Sequence, residues 1–243
     1  MIYKFLPLIL FSFLSFKPLS AVESLKNEFP NTDPKIIAAN AKAILENKCK
    51  TFYSTIDANN LSLPKFDSFY AAFQGYEQLK MQGKINNEIL TIIDFSLSST
   101  EERMWVIDMK TQKVILKSLV AHGKNSGLEF ATNFSNENES YKSSLGFYLT
   151  GEVYQGKHGL SLRLDGMEYG INDRARDRAV VIHGADYVCK KLAKNQGYIG
   201  RSQGCPAVPY EVHKQLIEII KEKSCIFIYH PSRSYVVKSK LVS

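Results

Sequence analysis

The chain has 243 residues, and its 31 lysines and arginines against 24 aspartates and glutamates give a formal net charge of +7. The charge suits an anionic partner but does not identify one. The basic residues form no helical run interleaved with aromatic residues, so we expect no nucleic acid partner. The length allows one domain, with or without a helical appendage.

The N-terminus has the composition of a secretory signal. Met1-Ile2-Tyr3-Lys4 precedes an apolar run over residues 5–16, and Lys17 and Leu19-Ser20-Ala21 follow. A basic start, a short apolar run and a small residue predict a signal peptide at residues 1–21. The run is short for a bilayer span, and an uncleaved anchor is the alternative interpretation. Cleavage lowers the formal charge to +5. We therefore expect an exported protein of the periplasm or cell envelope.

Residues 22–86 are predicted to form a helical segment packed on the domain that follows. Asp33-Pro34 is typical of an N-cap followed by proline at the first helical position. Apolar residues then recur at helical spacing: Ile36, Ile37, Ala41, Ile44 and Leu45. A second helix before Gly83 has an aromatic face: Phe66, Phe69, Tyr70, Phe73 and Tyr76. Such a face usually belongs to a core, and a lid or substrate arm is the alternative.

After Asn87 the apolar pattern becomes that of strands. Strands are predicted at residues 90–95, 104–109, 114–120, 146–154, 160–164, 180–183 and 226–229. One late helix is predicted at residues 210–223, with Val212, Leu216, Ile219 and Ile220 facing inward. Residues 133–144 are predicted to be a solvated loop. Many short strands with few helices favour a mostly antiparallel β sandwich or barrel-like domain with flanking helices.

Two stretches contain the candidate catalytic residues. Val180-Val181-Ile182-His183-Gly184 is a strand-like run that ends in a histidine, and Arg201-Ser202-Gln203-Gly204-Cys205-Pro206-Ala207 is a loop that presents a cysteine. A thiol is a strong nucleophile only as the thiolate, and a nearby imidazole can take its proton. We therefore predict Cys205 as nucleophile and His183 as general base. Because Gly204 has no side chain, the backbone N–H groups of Gly204 and Cys205 are predicted to face an oxyanion. An inert core cysteine is the alternative.

These stretches resemble the murein L,D-transpeptidase catalytic domain family, the cysteine enzymes that cross-link peptidoglycan. Its signature is a strand-borne His-Gly and a Ser-x-Gly-Cys loop, here His183-Gly184 and Ser202-Gln203-Gly204-Cys205. The subgroup with His-Gly-Ala-x-Tyr-Val and Gly-Arg-Ser-x-Gly-Cys-Pro-Ala-Val-Pro matches residues 183–188 and 200–209. The resemblance covers roughly residues 90–230. Many members have a histidine at the position of Gln203, and an arginine or asparagine where this chain has Pro206-Ala207-Val208.

The resemblance implies a β sandwich or barrel-like catalytic domain at residues 87–243. It also implies an L,D-transpeptidase that needs no cofactor, acts on peptidoglycan stem peptides through a Cys205 thioester, and is inhibited covalently by carbapenem-type β-lactams. An L,D-carboxypeptidase that uses water as acceptor is one alternative, and a catalytically idle wall-binding protein of the same fold is another. No aspartate or asparagine is obvious as a third catalytic residue, so the carbonyl of Gly184 is the candidate that orients His183. The sequence identifies no protein partner.

Several further polar residues are candidates for substrate binding. His122 and His158 either line the cleft or are ordinary loop histidines with one hydrogen bond each. Arg201 either binds a substrate carboxylate or forms a salt bridge to a nearby aspartate. Ser202 and Tyr187 are added by the family motif. Alternating charge usually marks a solvated edge, but one of Arg174, Arg176 and Arg178 is expected to reach the cleft because they directly precede the His183 strand.

The three remaining cysteines are candidates for a metal site or a disulfide bond. The sequence has neither Cys-x-x-Cys nor His-Glu-x-x-His, so we expect no zinc site. In an oxidising compartment two of Cys49, Cys189 and Cys225 are able to pair, and the sequence does not say which two, if any.

Overall fold

The computed structural model describes residues 33–242, so the predicted signal peptide lies outside the described part of the chain. The chain divides into two compact units between Leu45 and Glu46. Helix α1 (Pro34–Thr55) begins where predicted, because Asp33 Oδ1 accepts a hydrogen bond from the Lys35 N–H at 2.8 Å. Two residues of its predicted apolar face, Ile36 and Ile44, are exposed. Within residues 33–242, no helix combines the length and the apolar character that a membrane span requires.

Helix α2 (Phe66–Met81) belongs to the second unit and packs on the sheet. Phe69, Phe73 and Tyr76 are buried, so the aromatic face is part of the core. Gly75 permits a close approach, since a Cβ there would lie 2.1 Å from the ring of Phe147.

The described residues form one eight-stranded sheet and three further helices. The strands are β1 (Ile89–Asp94), β2 (Met104–Asp108), β3 (Lys113–Ser118), β4 (Gly146–Gly156), β5 (Gly159–Gly166), β6 (Val181–Gly184), β7 (Ala207–Val208) and β8 (Cys225–Tyr229). Their order is β3-β2-β1-β8-β4-β5-β6-β7. Neighbours are antiparallel except for the parallel pairs β1–β8 and β6–β7. The helices are α3 (Lys190–Gln196), α4 (Tyr210–Ile220) and α5 (Arg233–Lys238).

The two ends of the sheet nearly close on each other. Ala121, which follows β3, forms a bridge with Ala207 of β7, and its N–H donates to the Ala207 carbonyl at 2.8 Å. Ala207 pairs on its other side with His183 of β6. The mostly β, barrel-like fold with flanking helices that the sequence predicted is therefore confirmed. Both candidate catalytic residues lie close to the seam.

Helix α4 covers β5 and β6 and ends earlier than predicted. Its buried residues are His213, Leu216, Ile217 and Ile220. The helix ends because Glu222 and Lys223 adopt positive φ angles, which continue no right-handed helix. Gly184 of β6 lies under its first turn, where a Cβ would come within 2.4 Å of the Tyr210 ring.

Candidate active site

His183 is held at the end of β6 in a defined tautomer. It is 4% exposed, and its Nδ1 lies 2.9 Å from the carbonyl oxygen of Gly184. Because a carbonyl only accepts, the proton is on Nδ1, and Nε2 is left as the basic nitrogen. Burial lowers the pKa of His183 below its usual value, and the Gly184 carbonyl partly opposes that effect. The imidazole is therefore neutral near pH 7 and able to accept a proton.

Strand register brings Cys205 to the same cleft as His183. His183 pairs with Ala207 in the parallel β6–β7 ladder, and Cys205 precedes Ala207 by two residues. Both side chains line one cleft of about 730 Å³. The Cys205 thiol donates to the carbonyl of Ala179 at 3.7 Å. Burial raises the pKa of this thiol, while the Val181 N–H and the positive charge of Arg178 oppose the rise. Cys205 is therefore a neutral thiol at rest.

Ser202 fixes the loop that carries the cysteine. Its hydroxyl donates to the Cys205 carbonyl at 2.6 Å and accepts from the Gly204 N–H at 3.0 Å. The Ser202 side chain is thus occupied by the loop itself, although the residue borders the cleft. The Gly204 N–H, expected to face an oxyanion, points at Ser202 instead. The Cys205 N–H is left as the candidate donor of that pair.

Three other predicted residues, His158, Tyr187 and Arg201, line the same cleft. The His158 ring stacks on that of His183 from the turn between β4 and β5. Burial raises the pKa of Tyr187 to about 12, so its hydroxyl is protonated at neutral pH. The Arg201 guanidinium donates to the Gly127 carbonyl at 3.2 Å. Among the described residues it forms no salt bridge to an aspartate, the alternative considered above.

A sequence profile of the L,D-transpeptidase catalytic domain matches residues 60–229 of this chain. The chain belongs to this family. No curated protein matches it significantly.

Among solved structures, the chain is similar to L,D-transpeptidases at low identity. It is 13% identical to the L,D-transpeptidase from Mycobacterium smegmatis, with a TM-score of 0.37 over 59% of each chain. It is 12% identical to LD transpeptidase LdtMt1 in complex with imipenem, with a TM-score of 0.37 over 59% of each chain. A K307A mutant of the helical cell shape determining protein Pgp2 from Campylobacter jejuni is 12% identical, with a TM-score of 0.40 over 74% of this chain and 62% of the other. The chain spans 50% to 59% of the length of the first three structures that it matches.

His122 does not line this cleft, and its backbone holds the cysteine loop from behind. It is fully buried, and its Nδ1 accepts a hydrogen bond from Arg103 at 2.8 Å. Its Nε2 therefore carries the proton and donates to Gly127. Burial, followed by the charge of Arg103, lowers the pKa of His122 to about 4. The backbone carbonyl of His122 accepts from the Ser202 N–H at 3.0 Å, so the residue supports the loop from outside the cleft.

The cleft also contains residues that sequence reasoning did not single out. Glu139 and Tyr141 reach it from residues 133–144, which were interpreted only as a solvated loop. Tyr154 and Lys157 reach it from the β4–β5 hairpin. The sequence signal for Glu139 and Tyr141 was only their position in the loop directly before β4, which does not distinguish a cleft wall from a surface loop.

All four cysteines lie in the described part of the chain, and all are free. Cys49 and Cys225 are buried, and burial raises the pKa of each thiol. Residues 33–242 contain no cluster of three or more histidine, cysteine, aspartate or glutamate side chains suited to a metal ion.

Proposed function

We propose that the protein is an exported cysteine L,D-transpeptidase that acts on peptidoglycan stem peptides through Cys205 and His183. The observation that carries the proposal is the bond from His183 Nδ1–H to the Gly184 carbonyl, in a cleft that His183 shares with Cys205. This bond leaves Nε2 as a neutral base and replaces the carboxylate that orients histidine in other catalytic triads.

The reaction proceeds in two acyl-transfer steps. His183 Nε2 takes the Cys205 proton, and the thiolate attacks the carbonyl of the peptide bond between an L-centre and a D-centre in the donor stem. The C–N bond then breaks, and the terminal D-amino acid leaves with the proton that His183 returns. An acceptor stem amine attacks the thioester, gives up a proton to His183, and releases the thiolate. The Cys205 N–H is the proposed oxyanion donor, because the Gly204 N–H is bonded to Ser202.

The substrate-binding roles of Arg201, Tyr187 and His158 belong to the same proposal. Their polar groups line the cleft beside the nucleophile, where a stem peptide would lie. Ser202 and His122 act instead by holding the cysteine loop. Use of water in place of the acceptor amine would give an L,D-carboxypeptidase by the same first step.

Incubation with purified muropeptides, followed by mass spectrometry of the products, tests the proposal. We expect cross-linked dimers and free terminal D-amino acid from the wild type and neither product from Cys205→Ala or Cys205→Ser. Cys189→Ser is the matched control, because Cys189 is also free and half-buried. Shortened stems without dimers would identify a carboxypeptidase. Wild-type turnover by Cys205→Ala would refute the mechanism.

Export is tested separately by sequencing the N-terminus of the protein from its native envelope. A mature chain that begins near Val22 is the expected result. Full-length chain in the cytosol with residues 1–21 retained would contradict it.

A further inference from the structure

Three alternating arginines precede β6, and the structure separates them. Arg174 forms a salt bridge with Glu137, and Arg176 forms salt bridges with Glu152 and Asp165. All these side chains are substantially exposed. Arg178 turns in the other direction and lines the catalytic cleft.

Arg178 is held only by neutral oxygen atoms. One terminal nitrogen donates to the Ser135 carbonyl at 2.9 Å and to the Ser144 hydroxyl at 3.1 Å. The other donates to the Lys142 carbonyl at 2.6 Å. No carboxylate within residues 33–242 forms a salt bridge with this guanidinium. Its positive charge is therefore half-buried without a directly bonded counter-ion, an arrangement that costs free energy.

The guanidinium lies against the cysteine loop. A Cβ added at Gly204 would be 3.3 Å from the second terminal nitrogen of Arg178. The next residue, Ala179, accepts the Cys205 thiol hydrogen bond. Ala179 has a φ of +52°, a conformation that costs a non-glycine residue about 1 kcal/mol. The segment thus tolerates both a strained residue and an unpaired charge next to the nucleophile, and such features cluster at functional sites.

We propose that Arg178 is a positioning residue whose positive charge, which forms no salt bridge within residues 33–242, stabilises the thiolate of Cys205 while its hydrogen bonds hold residues 135–144 as a cleft wall. The inference rests on the proposed role of Cys205. When the proton moves from sulfur to His183 Nε2, negative charge develops beside the guanidinium, and the low local dielectric strengthens the attraction. Arg178 also opposes the rise that burial causes in the pKa of the thiol.

The hydrogen bonds distinguish this role from that of a substrate clamp. Both terminal nitrogens already donate to oxygen atoms of the protein, including a bond to the Ser140 hydroxyl at 3.5 Å, so a bidentate contact with a substrate carboxylate would break bonds that hold the cleft wall. Loss of the charge should therefore lower the acylation rate and leave KM for the donor stem nearly unchanged.

The test measures the rate at which iodoacetamide alkylates Cys205, by peptide mass spectrometry, over a pH range that extends to about pH 11 because burial raises the pKa of this thiol. Only the thiolate reacts, so the pH midpoint reports the thiol directly. In Arg178→Met we expect a midpoint at higher pH and about tenfold slower alkylation at pH 7, the scale for loss of a neighbouring opposite charge. Arg178→Lys keeps the charge and should keep the wild-type midpoint. Arg176→Met removes an outward arginine two residues away and is the matched control.

An unchanged midpoint in folded Arg178→Met would overturn the proposal, and so would equal shifts in Arg178→Met and Arg178→Lys, since geometry rather than charge would then be responsible. If Arg178→Met does not fold, Arg178→Gln removes the charge and retains an amide donor for the Lys142 carbonyl. A change only in the access of iodoacetamide to Cys205 alters the plateau of the alkylation rate at high pH and leaves the pH midpoint unchanged. The assay involves no peptidoglycan, so failure of the proposed function, seen as turnover by Cys205→Ala, is distinguishable from failure of this inference.

Discussion

The imidazole of His158 stacks on the imidazole of His183, with ring centroids 4.5 Å apart and ring planes inclined at 22°. His183 is fixed at one edge by its bond to the Gly184 carbonyl, and the stack constrains its face. The second ring comes from the tight turn that joins β4 and β5. The hairpin therefore contributes to the orientation of His183, the proposed general base.

This stack separates the roles of the two histidines. His183→Ala should lower the acylation rate by about 10²-fold or more, the scale for loss of a general base. His158→Ala should lower it by about tenfold, because a misplaced base costs less than an absent one. His158→Phe keeps an aromatic face and should stay near wild type. Single-turnover measurement of thioester formation checks all three variants. A nearly unchanged acylation rate in His183→Ala would mean that another residue is the general base.

Carbapenem treatment should label one cysteine. Attack by the Cys205 thiolate opens the strained β-lactam ring, and the ring nitrogen takes the proton that leaves the sulfur, giving a stable thioester. We expect one adduct on Cys205, absent in Cys205→Ala and slowed in His183→Ala. Its formation is expected to be slow, because Gln203 replaces the histidine found in many members. Intact-protein and peptide mass spectrometry identify the cysteine that carries the adduct. An adduct on Cys49, Cys189 or Cys225 would mean that the reactive thiol has been misidentified.

His122 should make folding stability depend on pH. Its pKa is about 4 in the folded chain and about 6.5 when unfolded. Between these values the unfolded chain binds a proton that the folded chain does not, so the free energy of unfolding falls as pH decreases from 6.5 to 4. The full difference is about 3 kcal/mol.

The matched variant for this effect is His122→Gln, whose amide is able to accept from Arg103 and donate to Gly127 without titrating. Urea unfolding at pH 7 and pH 4.5 should show a larger loss for the wild type than for the variant. All other titrating groups are common to both, so equal losses would show that His122 does not take up a proton on unfolding in this range.

Gly204→Ala should disrupt the cysteine loop. Gly204 has a φ of +125°, and an added Cβ would lie 2.9 Å from the Lys142 carbonyl and 3.3 Å from Arg178. Gly170→Ala is the control, since Gly170 also has a positive φ, of +71°, but open space around it. The control should lose about 1 kcal/mol of stability and keep its activity. Gly204→Ala should lose turnover, and its loss of stability should exceed that of the control by about 1–3 kcal/mol, the scale for overpacking. Thermal unfolding and muropeptide assays check both variants. An active Gly204→Ala would contradict the prediction that a Cβ at this position disrupts the loop.

The strands and the placement of His183 and Cys205 in one cleft were accessible to sequence reasoning because both rest on local pattern. The period of apolar residues identifies a strand whatever it pairs with, and His183-Gly184 and the Ser202–Cys205 loop are two short motifs, each contiguous in the sequence. Sheet order was not accessible. Leu90 pairs with Cys225 in a parallel ladder, a contact that no local pattern indicates.

The polar residues of the site show the same limit. Arg174, Arg176 and Arg178 alternate with similar neighbours in the sequence, and only the turn before β6 decides which one faces the cleft. His122 follows a strand as His158 precedes one, yet one is buried behind the loop and the other stacks on His183. For Gly204, the sequence indicated a free N–H group, but the neighbouring Ser202 hydroxyl occupies it.

The seam between Ala121 and Ala207 has a consequence for the order of events during folding. Ala207 is bonded to partners from two distant parts of the chain, and the nucleophile lies two residues before it. Contacts between residues so far apart in sequence form slowly, because a long loop must close before they return any free energy. Cys205 therefore reaches the cleft that it shares with His183 only after the sheet has closed. The cleft that we propose as the active site is thus a late product of folding rather than a property of the motif.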